Sequence, residues 1–391
     1  MHAARQQQTP LGLQLAEAIQ ANGPITFCDF MNIALYHPEA GYYTNPTRPR
    51  LGWEGDFITS SDLHPLFGTM IGRYFASIWQ LMGKPQPFII SEVGAGRGLL
   101  ARDIIAWANE PESDAPAGFM DALQYTMIDV AAGDAGQRTW GTSGDVVSDL
   151  APHISFSNEL IDAFPVHIVE RVADGLAEVY VTALATPPNL GEILGPLSTP
   201  DLNDYMQRYA IDWLSFPIGW RGEINLQAET WMAHTVERLA TLGCVITIDY
   251  GYSAADLYSM DRPHGTLLGY RQHIVTDTTL AFVGEQDLTA HVNFTALTQV
   301  GDAHGLATVG MSTQRDFLIS LGIREASEQL GQRLYPKADS ERHTDAGQID
   351  YLRRSSLRQR INTLLSPEGL GGFRVLVQQR GIPSLQVGSS E

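Results

Sequence analysis

Apolar positions in the first 36 residues recur at helical spacing: Leu11, Leu15, Ala18 and Ile19, then Phe27, Phe30, Met31 and Leu35, with a break at "ANGP". Steps of three and four put one apolar stripe on a helix, so two short helices are predicted. The Gly-, Pro- and aromatic-rich stretch "HPEAGYYTNPTRPRLGWEGDF" follows, and its length suggests a lid over 41–61. A further helix over 65–82 stops before "KPQP". From there the pattern alternates: strand 87–93, helix 98–109, strand 123–129, helix near 131–140, strand 153–157. Strands separated by helices predict an α/β fold with a doubly wound, mostly parallel sheet.

That rhythm breaks at "VHIVERVADGLAEVYVTA", residues 166–183, which reads as two strands around the hairpin signal "ADG". An antiparallel insertion over about 166–225 is therefore expected, with an aromatic, helix-rich piece at 200–216. A helix over 226–242 leads into "CVITIDYG", a continuous apolar run of the kind that a fully buried parallel strand shows. The last third is less patterned. Its clearest segment, "GFRVLVQQRG" at 372–381, predicts a final strand at the edge of the sheet. The implied organisation is an N-terminal helical cap with its lid over 1–84 and a Rossmann-like core over 85–391, with the insertion as a substrate-side subdomain.

Composition narrows the function class. The chain has 391 residues, 44% hydrophobic and 18% charged, enough for one large or two ordinary domains with real cores. A formal net charge of -19 opposes nucleic acid or an anionic membrane as partner and favours a neutral or cationic substrate. Two cysteines, Cys28 and Cys244, argue against a disulfide framework or a cysteine metal site. No stretch approaches the roughly 18 apolar residues of a membrane span. The start "MHAARQQQTP" lacks an apolar secretory region and offers no clear mitochondrial transit segment, so a bacterial, cytoplasmic location is expected.

The candidate chemistry begins in "FIISEVGAGRGLL", residues 88–100. A dinucleotide turn wants G-x-G-x-x-G, but Leu99 stands where the third glycine would be. A phosphate loop needs a lysine and a hydroxyl that are missing here. What remains is Glu92, two residues before Gly94, with Gly96 and Gly98: an acid followed by three alternate glycines. That suits S-adenosylmethionine, which carries no phosphate and needs close backbone approach plus a carboxylate beside its ammonium group. Asp129, at the end of the next strand, is placed for the ribose hydroxyls, or alternatively is a helix cap. "SFSNELIDAFPVH" puts Asn158, Glu159 and Asp162 at the C-terminal end of a later core strand, where open α/β sheets bind ligands; a capping sequence is the plain alternative. In "DLTAHVNF", Asp287, Thr289 and His291 share a face if the segment is a strand, and Asp287 and His291 do so if it is a helix. Either way an acid and an imidazole meet, unless His291 is simply a structural histidine.

Together with these motifs, the collinear blocks "GPITFCDFMNIALYHPEAGYY", "GDFITSSDLHPLFG", "SEVGAGRGLLARDII", "NELIDAFPV", "VITIDYG", "GTLLGYRQH", "DLTAHVNF" and "QRDFLISLGI" resemble the MidA family of class I S-adenosylmethionine-dependent methyltransferases, over roughly 20–323. Mitochondrial members act as respiratory complex I assembly factors that methylate an arginine of a complex I subunit. The resemblance implies S-adenosylmethionine as cofactor, with contacts at Glu92, Gly94, Gly96, Gly98 and Asp129, and we add Asn158 and Glu159. Gln137 matches the family's glutamine on the next helix. The family has Glu-Ser where this chain has Asp129 and Val130, an aspartate where it has Asn293, and a C-terminal block that "LGGFRVL" matches poorly.

Methyl transfer from a sulfonium is an in-line displacement that asks mainly for alignment. An arginine acceptor also needs carboxylates to hold its protonated guanidinium and a group to take its proton. Glu159, Asp162 and Asp287 are the expected acids, Asp249 a further one, and His291 the expected proton acceptor. The expected partner is thus a protein with an exposed arginine. A small-molecule O- or N-methyltransferase and a non-catalytic, cofactor-binding assembly chaperone stay open beside that reading.

Overall fold

The computed structural model describes residues 8–45, 59–130, 137–141, 150–184, 189–272 and 274–383, with 137–141 described by their backbone alone. The centre of the expected lid, 46–58, lies outside the described residues, as does the tail "VGSSE". The chain forms two compact units: Met1–Phe57, Glu159–His234 and Tyr250–His304 make the first, and Ile58–Asn158, Thr235–Asp249 and Gly305–Glu391 the second.

Seven strands build the sheet of the second unit: β1 (Phe88–Val93), β2 (Leu123–Ile128), β3 (Gln137–Gly141), β4 (Ile154–Asn158), β5 (Gly243–Asp249), β6 (Ala307–Thr313) and β7 (Arg374–Arg380). They lie in the order β6-β7-β5-β4-β1-β2-β3. β1, β2, β4 and β5 run parallel, as the alternation of strand and helix requires. β5 is buried at every position, which accounts for its unbroken apolar run. On the core lies the helix Leu66–Leu81, whose Phe67, Met70, Ile71 and Phe75 are fully buried. Phe75 meets Phe156 of β4 edge-on with ring centroids 5.5 Å apart.

Two expectations are corrected here. The segment 137–141, expected to be helical, is strand β3, antiparallel to β2 with Ile128 opposite Gln137. "QRTWG" carries the β-branched and aromatic residues Thr139 and Trp140, which favour an extended chain. Gln137 accordingly sits on a strand, away from the helix that the resemblance implied. The last strand, β7, lies inside the sheet between β5 and β6, and the edge belongs to β6.

In the first unit, Thr9 caps the helix Pro10–Asn22 and Thr26 caps the helix Phe27–Tyr36, each hydroxyl accepting a backbone N–H of the first turn. Phe27, Phe30, Met31, Ala34 and Leu35 form the buried stripe that their spacing predicts. The expected hairpin is present: His167–Val172 pairs with Gly175–Ala183, and Val172 opposite Gly175 leaves Ala173 and Asp174 as the turn. Ile25–Thr26, Leu190–Gly195 and Arg221–Ile224 complete that sheet. Of the helix-rich piece expected at 200–216, the structure keeps one helix, Asp201–Arg208, and a single 3-10 turn, Trp213–Ser215. Two small sheets complete the unit: Leu268–Arg271 between Ile274–Thr276 and Asp287–Thr289, and Gly251–Tyr252 beside Val292–Asn293. Among the described residues no helix is long and apolar enough to cross a membrane.

Candidate active site

In the second unit, the strand order reverses between β1 and β4, and ligands of open α/β sheets bind at the strand C-termini of such a switch point. That end carries Glu92 of β1, Asp129 just after β2, Asn158 of β4 and the fully buried Asp249 of β5. The glycine turn after β1 is tied to β2. Gly94 and Ala95 N–H donate to the Ile128 carbonyl at 2.8 and 3.2 Å, and Gly96 N–H donates to the Asp129 carboxylate at 2.8 Å. Gly94, Gly96 and Gly98 have φ of 76°, 52° and 70°, a left-handed path that costs a residue with a Cβ about 1–2 kcal/mol. At Gly98 a Cβ would also stand 2.7 Å from the Met127 sulfur.

Glu92 is 5% exposed and accepts a hydrogen bond from the Tyr125 hydroxyl at 2.9 Å. Burial pushes its carboxyl up to about 8, against the opposing pull of Tyr125, and the charge of Asp129 adds to the push. A buried acid so poised gains most from an incoming cation. With no lysine in the turn, this end of the sheet fits a cationic ligand without phosphates. No local sequence pattern points to Tyr125, because only the pairing of β1 with β2 brings it beside Glu92. Arg97, the turn's own cation, forms an ion pair with Asp62.

The first unit holds a second constellation. Asp162 lies on the 3-10 turn Ile161–Ala163 and Asp287 opens the strand Asp287–Thr289, and the two pieces join through Ala290 N–H, which donates to the Asp162 carbonyl at 2.9 Å. Both acids are buried, 6% and 2% exposed. The Tyr250 hydroxyl donates to Asp162 at 2.5 Å, and the Tyr43 hydroxyl reaches both Asp287 oxygens at 2.9 Å. Tyr36 stacks on Tyr43 with centroids 5.6 Å apart. Burial, then the charges of both acids, raise the hydroxyls of Tyr43 and Tyr270. Asp162 itself is raised above its ordinary value by burial, with the Tyr250 bond pulling the other way. Two carboxylates thus sit among Tyr36, Tyr43, Tyr250 and Tyr270, residues scattered over more than 200 positions of sequence and joined only by folding.

Asp287 and Thr289 share a strand face, and His291 stands beyond the strand's end. It is held between Tyr250 and Tyr252, with ring centroids at 5.2 and 5.3 Å. That placement depends on Gly251, where a Cβ would stand 2.1 Å from the Val292 carbonyl oxygen. Burial, aided by Arg262, pushes His291 down to about 4, so its ring is neutral at pH 7. Its Nδ1 is buried without a hydrogen-bond partner. Glu159, directly after β4, adopts φ 53°, an uncommon conformation for a side-chain-bearing residue. Asn293 caps the helix Phe294–Ala303 and also donates to the Tyr205 hydroxyl, a structural use of the position that departs from the family pattern. Among the described residues no group of three or more His, Cys, Asp or Glu is placed to hold a metal ion.

Residues 70–312, more than half of the chain, match a family described as "Putative S-adenosyl-L-methionine-dependent methyltransferase". The chain is 28% identical over 345 residues to the mitochondrial protein arginine methyltransferase NDUFAF7 of Rattus norvegicus, covering 81% of this chain and 74% of that one. The human protein of that name is 28% identical over 344 residues, with the same two coverages. A crystal structure from Burkholderia thailandensis bound to S-adenosyl-homocysteine shares the fold with a TM-score of 0.76 at 22% identity, covering 96% of this chain and 93% of that one. These curated relatives are mitochondrial by name, which overturns the expectation of a cytoplasmic location. The matched span takes in the glycine turn, Asp162 and Asp287 of the first unit and five of the seven sheet strands in full, and on that ground the chain belongs to the S-adenosyl-L-methionine-dependent methyltransferase family that its motifs resemble, the MidA family.

Proposed function

We propose that this methyltransferase acts on an arginine side chain of a protein partner. The observation that carries the reading is the buried pair Asp162 and Asp287 within its ring of tyrosines, a setting that suits a delocalised cation with an apolar face. The names of the relatives, protein arginine methyltransferases, point the same way. A subunit of respiratory complex I is the partner that the family resemblance suggests.

The cofactor, when bound, supplies a methyl group on a sulfonium. On the cofactor side, Glu92 would face its ammonium group, Gly94, Gly96 and Gly98 would admit it against the backbone, and Asp129 would exchange the Gly96 N–H for ribose hydroxyls; Asn158 at the end of β4 and Glu159 just after it would follow. For the acceptor, Asp287 would orient the guanidinium. Asp162, raised towards neutrality, is the better-matched proton acceptor, and His291, pushed down to about 4, is left to shape the wall with Tyr250 and Tyr252.

The test is transfer of a tritiated methyl group into a mitochondrial or bacterial extract, with products separated by size and the labelled amino acid identified. Label on a guanidinium nitrogen of a protein is the expected result, with Asp287→Asn lowering transfer by about tenfold or more while cofactor affinity changes by less than about twofold. Label confined to small metabolites would replace the reading with a small-molecule methyltransferase. An unlabelled extract despite tight cofactor binding would favour an assembly chaperone.

A further inference from the structure

Glu223, on the strand Arg221–Ile224 of the first unit, is 6% exposed. Its carboxylate accepts the Thr266 N–H at 3.0 Å, the Leu267 N–H at 3.2 Å and the Thr266 hydroxyl at 3.1 Å. All three are donors, which matches an ionised carboxylate that can only accept. The turn comes this close because residue 265 is glycine: its φ is 75°, and a Cβ there would stand 2.0 Å from Glu223 Oε1. Leu267 leads directly into the strand Leu268–Arg271, where Leu268 pairs with Thr289 and Tyr270 with Asp287. Thr266 crosses to the partner strand, since its hydroxyl accepts the His291 N–H at 3.0 Å. A hydroxyl has one proton to give. Given to Glu223, that proton leaves a lone pair for the His291 amide, so one carboxylate ties down both strands of the ladder that presents Asp287.

We propose that Glu223 is a positioning residue for the acceptor arginine: acting through Thr266, it sets where Asp287 and His291 stand. The proposal rests on the reading of Asp287 as the group that orients the guanidinium. An in-line methyl transfer asks mainly for alignment, so a small shift of this ladder lowers the rate while the reacting groups stay the same. Burial raises the Glu223 carboxyl, and the Thr266 and Leu267 donors pull it back down. Packing alone would be served by an apolar side chain, whereas a buried carboxylate with its donors aligned fixes one geometry of the turn. The Tyr258 hydroxyl donates to the Glu223 carbonyl at 2.8 Å, so the backbone of the residue is anchored as well.

The test compares the full-length protein with Glu223→Gln, Thr266→Val and Thr266→Ser, each held well below its unfolding midpoint. Two quantities are read per folded protein: tritiated methyl transfer to arginine in the protein fraction of the extract, and hydrogen exchange of the peptide that carries His291. Glu223→Gln and Thr266→Val should each lower transfer by about fivefold or more and speed exchange severalfold, with S-adenosylmethionine affinity within about twofold of wild type. Thr266→Ser, which keeps the hydroxyl, should restore both. The double variant should fall no further than the lower single one, because the two side chains act as one unit. A folded Glu223→Gln protein that transfers methyl at the wild-type rate overturns the proposal, and faster exchange beside that rate marks a residue that serves the fold alone. Should Glu223→Gln not fold, Thr266→Val decides by the same comparison. A wild type that labels no arginine removes the arginine reading and this proposal together, whereas equal rates overturn the proposal alone.

Discussion

Glu92 carries its proton in the free protein below about pH 8, because burial disfavours its charge more than Tyr125 stabilises it. A cofactor ammonium placed beside it would reverse that preference, so binding near pH 6.5 should expel a proton. Affinity for S-adenosylmethionine should then rise with pH by up to about tenfold per unit and level off above pH 8. Calorimetry at about pH 6.5 in buffers of different ionisation heat should count close to one proton released, and Glu92→Gln should abolish the release and weaken binding. A pH-independent affinity between about pH 6 and 8 would remove Glu92 from the cofactor's ammonium. Stability of the free protein follows the same proton. The folded carboxyl holds it more tightly than the unfolded one, so this group's contribution is complete below the ordinary value of 4.5 and is lost as pH rises through 8. Glu92, Asp129 and the three glycines were legible in sequence because they lie within a strand, a turn and the next strand, where spacing alone fixes geometry. The tyrosines around Asp162 and Asp287 were not legible, since no local pattern links Tyr36 and Tyr43 to Tyr250 and Tyr270.

Strands show the same limit at the next scale. β1 and β5 could be read because each holds a short apolar run ending in an acid or running up to one, and β4 because Ile154 and Phe156 alternate with Ser155 and Ser157. β7 could be read as a strand, yet its neighbours could not be read, because a buried run does not say how many strands flank it. Val377 pairs with Ile246 on one side and Gly310 on the other, and Val375, Leu376 and Val377 are at most 1% exposed. Proline there removes a ladder donor in the middle of the sheet. Val377→Pro should cost about 3 kcal/mol or more, read as a large fall in the urea midpoint. Near-wild-type stability would mean that β7 is an edge strand after all. Helix Asp345–Leu364 has no apolar period in the sequence for a different reason: besides Leu357, Ile361 and Leu364 it buries Arg354, whose guanidinium pairs with Glu328 and Asp339. A charged residue on the buried face erases the apolar period that sequence reading relies on.

At the scale of the whole molecule, the net charge of -19 acts on encounter rather than on fold. The expected location rested on neither the fold nor the site, which is why the relatives' names could overturn it without touching the chemistry. If the acceptor is a cationic segment of a protein, long-range attraction should raise its association rate, and salt should screen that attraction over a Debye length of about 10 Å at 0.1 M. The acceptor's kcat/KM should then fall severalfold between about 50 and 300 mM sodium chloride, while kcat, measured at saturation, stays nearly constant. Asp162 and Asp287 would act at contact range, and both are buried, where salt screens weakly. Asp287→Asn should therefore lower activity by the same factor at both salt concentrations, leaving the salt slope unchanged. A kcat/KM that does not respond to salt would argue for a neutral acceptor. A slope that vanishes in Asp287→Asn would mean that the buried acid, rather than the distributed charge, provides the attraction.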